Sequence, residues 1–305
     1  MGKLRGFLDF DRLHFEGRAT SFWLPLLKMA FPELNHLTLD DILSCLVHRA
    51  IANMEDFGCA EGGHVSGGND SHANRKDHVE LFDAVEFACG VGNLTRGLIS
   101  EGFKCCALDL IHSDDHNCLC SHGLRLWFQA LSSCKQRALH WWGTKCSSFV
   151  SICVSVSKRS PENLYYGDTS RDFVVEGNSL LMITAVLMCL SCALGHRVAL
   201  EQPLTSCMPL HPIMCSVISY FSCERTVTYL GAFGASSVKP VQLMSTLSLD
   251  AVVREKPRNM PESLATRGPN DQYTGKKDQL VESEVYPIMF GRAVAAAFAA
   301  KRHVV

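Results

Sequence analysis

Residues 83–110, DAVEFACGVGNLTRGLISEGFKCCALDL, constrain the fold of this chain more than any other stretch. Val85, Phe87 and Cys89 alternate with Glu86 and Ala88 in the period-two pattern of a buried strand. Gly90-Val91-Gly92 then lets the backbone turn sharply, because glycine reaches positive φ at no steric cost. Asn93 or Thr95 supplies an oxygen to cap a helix whose apolar face is Leu94, Leu98 and Ile99, and Gly102 stops that helix. Residues 103–110 run as a second apolar strand with Asp109 near its end. The spacing puts this acid about 20 residues beyond the glycines, where a ribose-binding carboxylate is expected. Strand, glycine turn, helix and acid-tipped strand make a βαβ unit, and the same spacing also suits a plain α/β turn that carries two glycines.

From Glu80 onward the alternation continues, with strands expected at 83–89, 103–109, about 138–142, 197–201, 226–230 and 241–246. Helices are expected around 93–101, 122–136, 176–194 and 212–221. This order predicts an α/β fold, a doubly wound, Rossmann-like and mostly parallel sheet, over residues 80–305. Residues 1–57 show helix-like spacing (Phe22, Leu26, Leu27, then Ile42, Leu43, Leu46, Val47) and read as a helical N-terminal segment. Residues 58–79, rich in Gly, Ser, Asn and His, read as a linker or mobile loop.

Composition narrows the class. With 47% hydrophobic and 20% charged residues over 305 positions, the chain can bury a core, and its net charge of −2 carries no broad electrostatic footprint for nucleic acid. Its fifteen cysteines are scattered through apparently buried elements instead of standing at framework spacings, which argues for free thiols and an intracellular setting. The run Leu180–Leu194 is short for a membrane span and is expected to be a buried helix, so no membrane association is expected.

The glycine spacing bears on the cofactor. A dinucleotide site needs a third glycine three residues after the second, and Thr95 stands there, which weakens the reading of an NAD-dependent oxidoreductase. The order Glu86, Gly90, Gly92 resembles motif I of class I S-adenosylmethionine-dependent methyltransferases. That resemblance implies S-adenosyl-L-methionine as cofactor, held by Glu86, Phe87, Ala88, Gly90, Gly92 and Asp109.

Ligands of such sheets bind beyond the carboxyl ends of the strands. Two further strand ends carry reactive groups: Lys145-Cys146-Ser147-Ser148-Phe149 and Glu201-Gln202-Pro203. A cysteine beside a cation can act as a thiolate nucleophile, although with so many cysteines chance placement is the plainer account of Cys146 taken alone. A glutamate closing a buried strand needs a partner, and the plain account of Glu201 is a loop-organising hydrogen bond.

Taken together these pieces resemble the cytosine-C5 nucleic-acid methyltransferases over about 80–305. Phe87–Gly92 is similar to their cofactor loop, Cys146-Ser147-Ser148-Phe149 to their Pro-Cys-Gln-x-Phe-Ser loop, and Glu201-Gln202-Pro203 to their Glu-Asn-Val. Gly231–Lys239 is similar to the segment before their Gln-x-Arg-x-Arg motif, and residues 286–294 to their closing Phe-Gly-Asn-Ser-Val helix start. The resemblance implies that Cys146 adds to C6 of a cytosine, that Glu201 holds the ring edge, and that a base in nucleic acid is the partner. Lys158–Gly177, polar and glycine-containing, suits a loop closing over substrate.

The chain departs from that pattern at several places. Lys145 replaces the proline, Gln202-Pro203 replaces Asn-Val, Lys239 stands where paired arginines are usual, Arg292 replaces the last asparagine, and only residues 251–280 occupy the target-recognition position. A non-catalytic Rossmann-like protein that binds a cofactor or a partner is the alternative. His116, Cys118, Cys120 and His122, at every second residue, would spread along a strand instead of converging on an ion, so no metal site is expected there. Trp141-Trp142 reads as core packing at a strand end.

Overall fold

The computed structural model describes residues 81–261, 265–267, 273–275 and 285–302. The expected N-terminal segment 1–57 and linker 58–79 lie outside these residues. Six strands form one sheet: β1 (Phe82–Phe87), β2 (Cys105–Leu108), β3 (Cys134–Trp142), β4 (Arg197–Pro203), β5 (Glu224–Tyr229) and β6 (Pro240–Ser245). Their spatial order is β2-β1-β3-β4-β6-β5. The first four strands are mutually parallel, and β6 runs antiparallel to both of its neighbours. The α/β class and the mostly parallel sheet thus stand, with one reversed strand. Its cause is the link from β5 to β6, residues 230–239, which is shorter than the dozen or so residues that a parallel crossover needs.

The helices are α1 (Asn93–Ser100), α2 (Ser121–Ser132), the short α3 (Val154–Ser157), α4 (Asp172–Ala193), α5 (Pro212–Tyr220) and α6 (Ile288–Arg302). Alternation along the strands sorts them into two layers. Leu139 and Trp141 of β3 face a core completed by Leu94 and Leu98 of α1 and by Phe290, Val294 and Phe298 of α6. The intervening His140 and Trp142 point the other way, toward Ser191 of α4 and Trp127 of α2. Both tryptophans are fully buried, as core packing requires. A two-stranded hairpin, β7 (Ala265–Arg267) with β8 (Tyr273–Gly275), lies within the region 251–280.

The layer of α1 and α6 depends on two glycines. A Cβ on Gly97 would lie 2.6 Å from the backbone of Gly291, and one on Gly291 would lie 2.9 Å from the Leu94 carbonyl. The helices approach backbone to backbone, which only glycine permits. Helix α4 is long and apolar enough, by length and composition alone, to cross a membrane, and half of its most apolar window is buried within this fold. It packs on β3, β4 and α5.

Expected elements fall close to their predicted places, with one informative exception. The helix predicted over 122–136 ends at Ser132, and β3 starts at Cys134 instead of near 138. Ser132 Oγ folds back to the Phe128 carbonyl at 2.9 Å, a bond that competes with helix continuation. Lys135-Gln136-Arg137, polar enough to look helical, is a bulge: β1 advances from Phe82 to Ala84 while β3 advances from Cys134 to Leu139, with Arg137 at φ 63°.

Candidate functional site

The chain leaves β1 for β2 on one side and returns to β3 on the other, so the carboxyl ends of β1 and β3 flank the point where the strand order switches direction. Open α/β sheets bind ligands at that point. The two strand ends touch there. The Gly143 N–H donates to the Phe87 carbonyl at 2.9 Å, and a Cβ on Gly143 would lie 2.7 Å from the Ala88 carbonyl oxygen. From this junction the glycine turn goes one way and the Cys146 loop the other.

The glycine turn is conformationally unusual. Ala88, Gly90 and Gly92 have φ of 53°, 53° and 73°, and left-handed backbone at a non-glycine such as Ala88 costs about 1 kcal/mol or more. A Cβ built on Gly90 meets no atom within 4 Å, so there is open space beside the turn. Asp109 fixes its geometry: Oδ2 accepts from the Gly90 N–H at 2.8 Å and Oδ1 from the Ile111 N–H at 3.0 Å. Both carboxylate oxygens of the expected ribose-binding acid thus hold backbone in this state. Phe87 is fully buried, stacked on Trp142 with centroids 4.0 Å apart, and supports the turn from within the core.

The cap of α1 differs from expectation. Gly92 occupies the N-cap position without a side-chain bond, and Asn93 Nδ2 donates instead to the Tyr286 carbonyl at 2.8 Å. The capping group is Glu86, the last-but-one residue of β1. Its Oε2 accepts from the Thr95 N–H at 2.8 Å and from the Thr95 hydroxyl at 2.6 Å, while its Oε1 is buried without a donor. Burial pushes the Glu86 carboxyl up to about 7, against the lowering effect of the Thr95 bonds; Asp109 adds a further upward push.

On the other side of the junction, Cys146 is a half-buried thiol in a turn closed by the Phe149 N–H, which donates to the Cys146 carbonyl at 2.7 Å. Lys145, expected to bias this cysteine toward thiolate, pairs with Glu176 at 2.8 Å, so its charge is matched by an acid. The expected closing loop 158–177 is tied down, and its last residues already belong to α4. The cause is Arg159, which is 2% exposed. Its Nε and Nη2 donate to the Ser148 carbonyl and hydroxyl at 2.9 Å each, and Nη1 donates to Asn178 Oδ1 at 2.8 Å and to the Tyr165 and Tyr166 carbonyls. The guanidinium also lies over the Phe149 ring, 3.7 Å from its centroid. Burial lowers Arg159 to about 10, so it remains a cation at neutral pH.

Glu201 sits at the carboxyl end of β4 with 7% of its surface exposed. Its Oε2 accepts from the Tyr286 hydroxyl at 2.7 Å. Burial raises its carboxyl, opposed by Lys239 and by the Tyr286 bond. The neighbouring Gln202 belongs to the scaffold: Nε2 donates to the Thr144 carbonyl at 2.7 Å, and Oε1 accepts from Ser206 at 2.8 Å.

Glu86, Ala88, Gly90, Gly92 and Asp109 therefore share one turn, Cys146 departs from the same junction, and Glu201 closes the next strand. The sequence offered Thr95 only as a capping oxygen, whereas its hydroxyl donates to Glu86, and it offered Tyr286 only within residues 286–294; Arg159 had no signal beyond a polar segment. The His116 ring meets the backbone of Asp109, with Nδ1 3.1 Å from its carbonyl oxygen, and no group of three or more His, Cys, Asp or Glu side chains is placed to hold a metal ion among the described residues. A hollow of about 370 Å³ at the start of α6 is lined by Ala232, Phe233, Arg254, Met289, Arg292 and Ala293, and includes none of the expected site residues.

No protein-family model matches this chain, and no curated protein does either.

Proposed function

We propose that this protein is an S-adenosylmethionine-binding, class I methyltransferase-like protein whose acceptor is a cytosine base of nucleic acid. The observation that carries the reading is Glu86 at the start of α1. A helix N-terminus favours anions, and dinucleotide sites place a pyrophosphate there. Here a buried carboxylate of the chain already occupies the N–H of Thr95. The bond keeps that N–H from a phosphate, and a carboxyl that burial holds at about 7 gains by ionising beside a cation such as a sulfonium. The open space at Gly90 and the unfilled Glu86 Oε1 fit such a group. When bound, the cofactor supplies an electrophilic methyl group.

The remaining chemistry falls to the chain. Gly90 and Gly92 keep side chains out of the cofactor's space, and Asp109 holds the turn and can exchange its backbone bonds for ribose hydroxyls. Cys146 Sγ would add to C6 of the pyrimidine, moving the ring electron pair toward C5, while Glu201 holds the ring edge at N3. The base reaches these groups only if it leaves its stack. A second reading, a non-catalytic cofactor-binding protein, is favoured by the Lys145–Glu176 pair and by the Arg159 tie, which leave Cys146 without an unmatched neighbouring lysine and leave its following loop pinned.

Calorimetry with S-adenosylmethionine, its demethylated product and NAD separates these classes. Binding of the first two but not NAD is expected, with Gly90→Val weakening it at least tenfold. No heat with either sulfur compound at millimolar concentration sinks the proposal. A covalent adduct with a 5-fluorocytosine-containing oligonucleotide, lost in Cys146→Ala, is expected for the enzyme and absent for the non-catalytic protein.

A further inference from the structure

Tyr286 stands just before α6, far in sequence from every group it joins. Its hydroxyl donates to Glu201 Oε2 at 2.7 Å and accepts from Trp141 Nε1 at 3.5 Å. Its carbonyl accepts from Asn93, the first residue of α1 after the glycine turn. Trp141 and Phe290 hold the ring, with centroids 6.3 and 5.4 Å away, and the absence of a side chain on Gly143 admits the hydroxyl, since a Cβ there would lie 3.2 Å from it. The residue is buried, and both burial and the adjacent Glu201 push its phenol well above the ordinary range, so the proton in the Tyr286–Glu201 bond belongs to the tyrosine.

We infer that Tyr286 is a positioning residue for Glu201: it occupies Oε2 and so fixes the plane in which the carboxyl is presented. Through Asn93 the same residue ties that carboxyl to the cofactor turn. This rests on the reading of Glu201 as the group that orients substrate. The charged and titratable groups acting on Glu201 are Lys239, which precedes β6, and Tyr286; Glu86 acts on Tyr286 in turn. A hydrogen bond to the charged form of an acid lowers its pKa, and one unit is a factor of ten in ionisation.

The test is Tyr286→Phe, which keeps the ring packing and the carbonyl bond to Asn93 while deleting the hydroxyl. Carboxyl carbons of glutamate-labelled protein are followed by NMR against pH, with Glu201→Gln assigning the signal. The Glu201 midpoint is expected to rise by about one unit, a tenfold change in ionisation constant, in a variant that binds S-adenosylmethionine within about threefold of wild type. An unchanged midpoint in a folded variant overturns the inference, because a tyrosine that does not act on the Glu201 carboxyl would alter stability and not this titration. If the variant fails to fold, Trp141→Phe, which removes the bond to the phenol oxygen, is expected to move the same midpoint by a smaller amount, and no movement there overturns the inference equally. A shifted midpoint in a protein with no methyl transfer on any nucleic acid would leave the Tyr286–Glu201 coupling intact and remove the proposed reaction.

Discussion

Two buried ionisable side chains flank the junction at the carboxyl end of the sheet, and they are held in opposite ways. Glu86, on the glycine-turn side, has no cation beside it among the described residues; one oxygen takes two bonds from Thr95 and the other takes none. Arg159, on the Cys146 side, has no carboxylate beside it among the described residues, yet every nitrogen of its guanidinium donates to a neutral oxygen. A satisfied buried ion is a structural rivet, whereas an under-satisfied one stores interaction capacity for something that arrives later. The turn side keeps one buried acceptor unused, whereas on the Cys146 side each guanidinium nitrogen is bonded.

The strongest way to break this contrast is Arg159→Met. Ser148, Tyr165, Tyr166 and Asn178 would lose a shared donor, and about 4 kcal/mol of stability is expected to go, read by denaturant unfolding, together with amide protection over 158–178. A loss below about 1 kcal/mol would show that the rivet holds nothing.

Glu86→Gln sharpens the other half. A carboxyl raised from 4.5 to about 7 makes the folded state bind more protons than the unfolded one between those values, so its stabilising contribution is complete below pH 4.5 and lost as pH rises through 7. Relative to wild type, the glutamine variant is therefore expected to gain about 3 kcal/mol on going from pH 4.5 to pH 8, measured as the pH dependence of the stability difference. A flat difference would contradict the environment described for Glu86.

Smaller effects separate the two sides of the junction itself. Gly143→Ala brings a methyl to 2.7 Å from the Ala88 carbonyl and is expected to cost about 2 kcal/mol, while Gly90→Ala meets no atom and costs only the left-handed strain, about 1 kcal/mol. The smallest expected change is Lys145→Met. An exposed ion pair to Glu176 contributes about 0.5 kcal/mol, so thermal unfolding should barely move, and the alkylation rate of Cys146 reports whether that cation matters to the thiol.

The βαβ unit was legible because its information is local: period two gives way to helical spacing across two glycines, and the sheet class follows. The six strands were legible for the same reason. The cap of α1 was not, because Glu86 reaches it from the preceding strand, nine residues earlier in the chain. Arg159 escaped notice as one arginine in a polar segment, since the carbonyls it gathers come from both sides of it in sequence and converge only in three dimensions. Tyr286 was seen only as part of a family-like closing motif; its bond to Glu201 spans 85 residues and has no local signature. The bulge of β3 reads as helix in the sequence because polar spacing says nothing of backbone sign at Arg137. Residues 1–79 lie outside what the structure describes.

The reversed strand β6 also has a consequence for how the chain is made. When synthesis has passed Pro203, the parallel half of the sheet, β2-β1-β3-β4, is complete in sequence, yet the rim of β4 has no neighbour until Ser245 has emerged. Among the described residues β5 pairs with β6 alone, so it does not cover β4 by itself. The β5–β6 hairpin must therefore arrive as one piece, and until it does the nascent chain carries an unpaired β4 backbone that invites association with its own kind. Ribosome-bound chains halted between 204 and 240 are expected to aggregate on release, and chains extended past 245 to do so less.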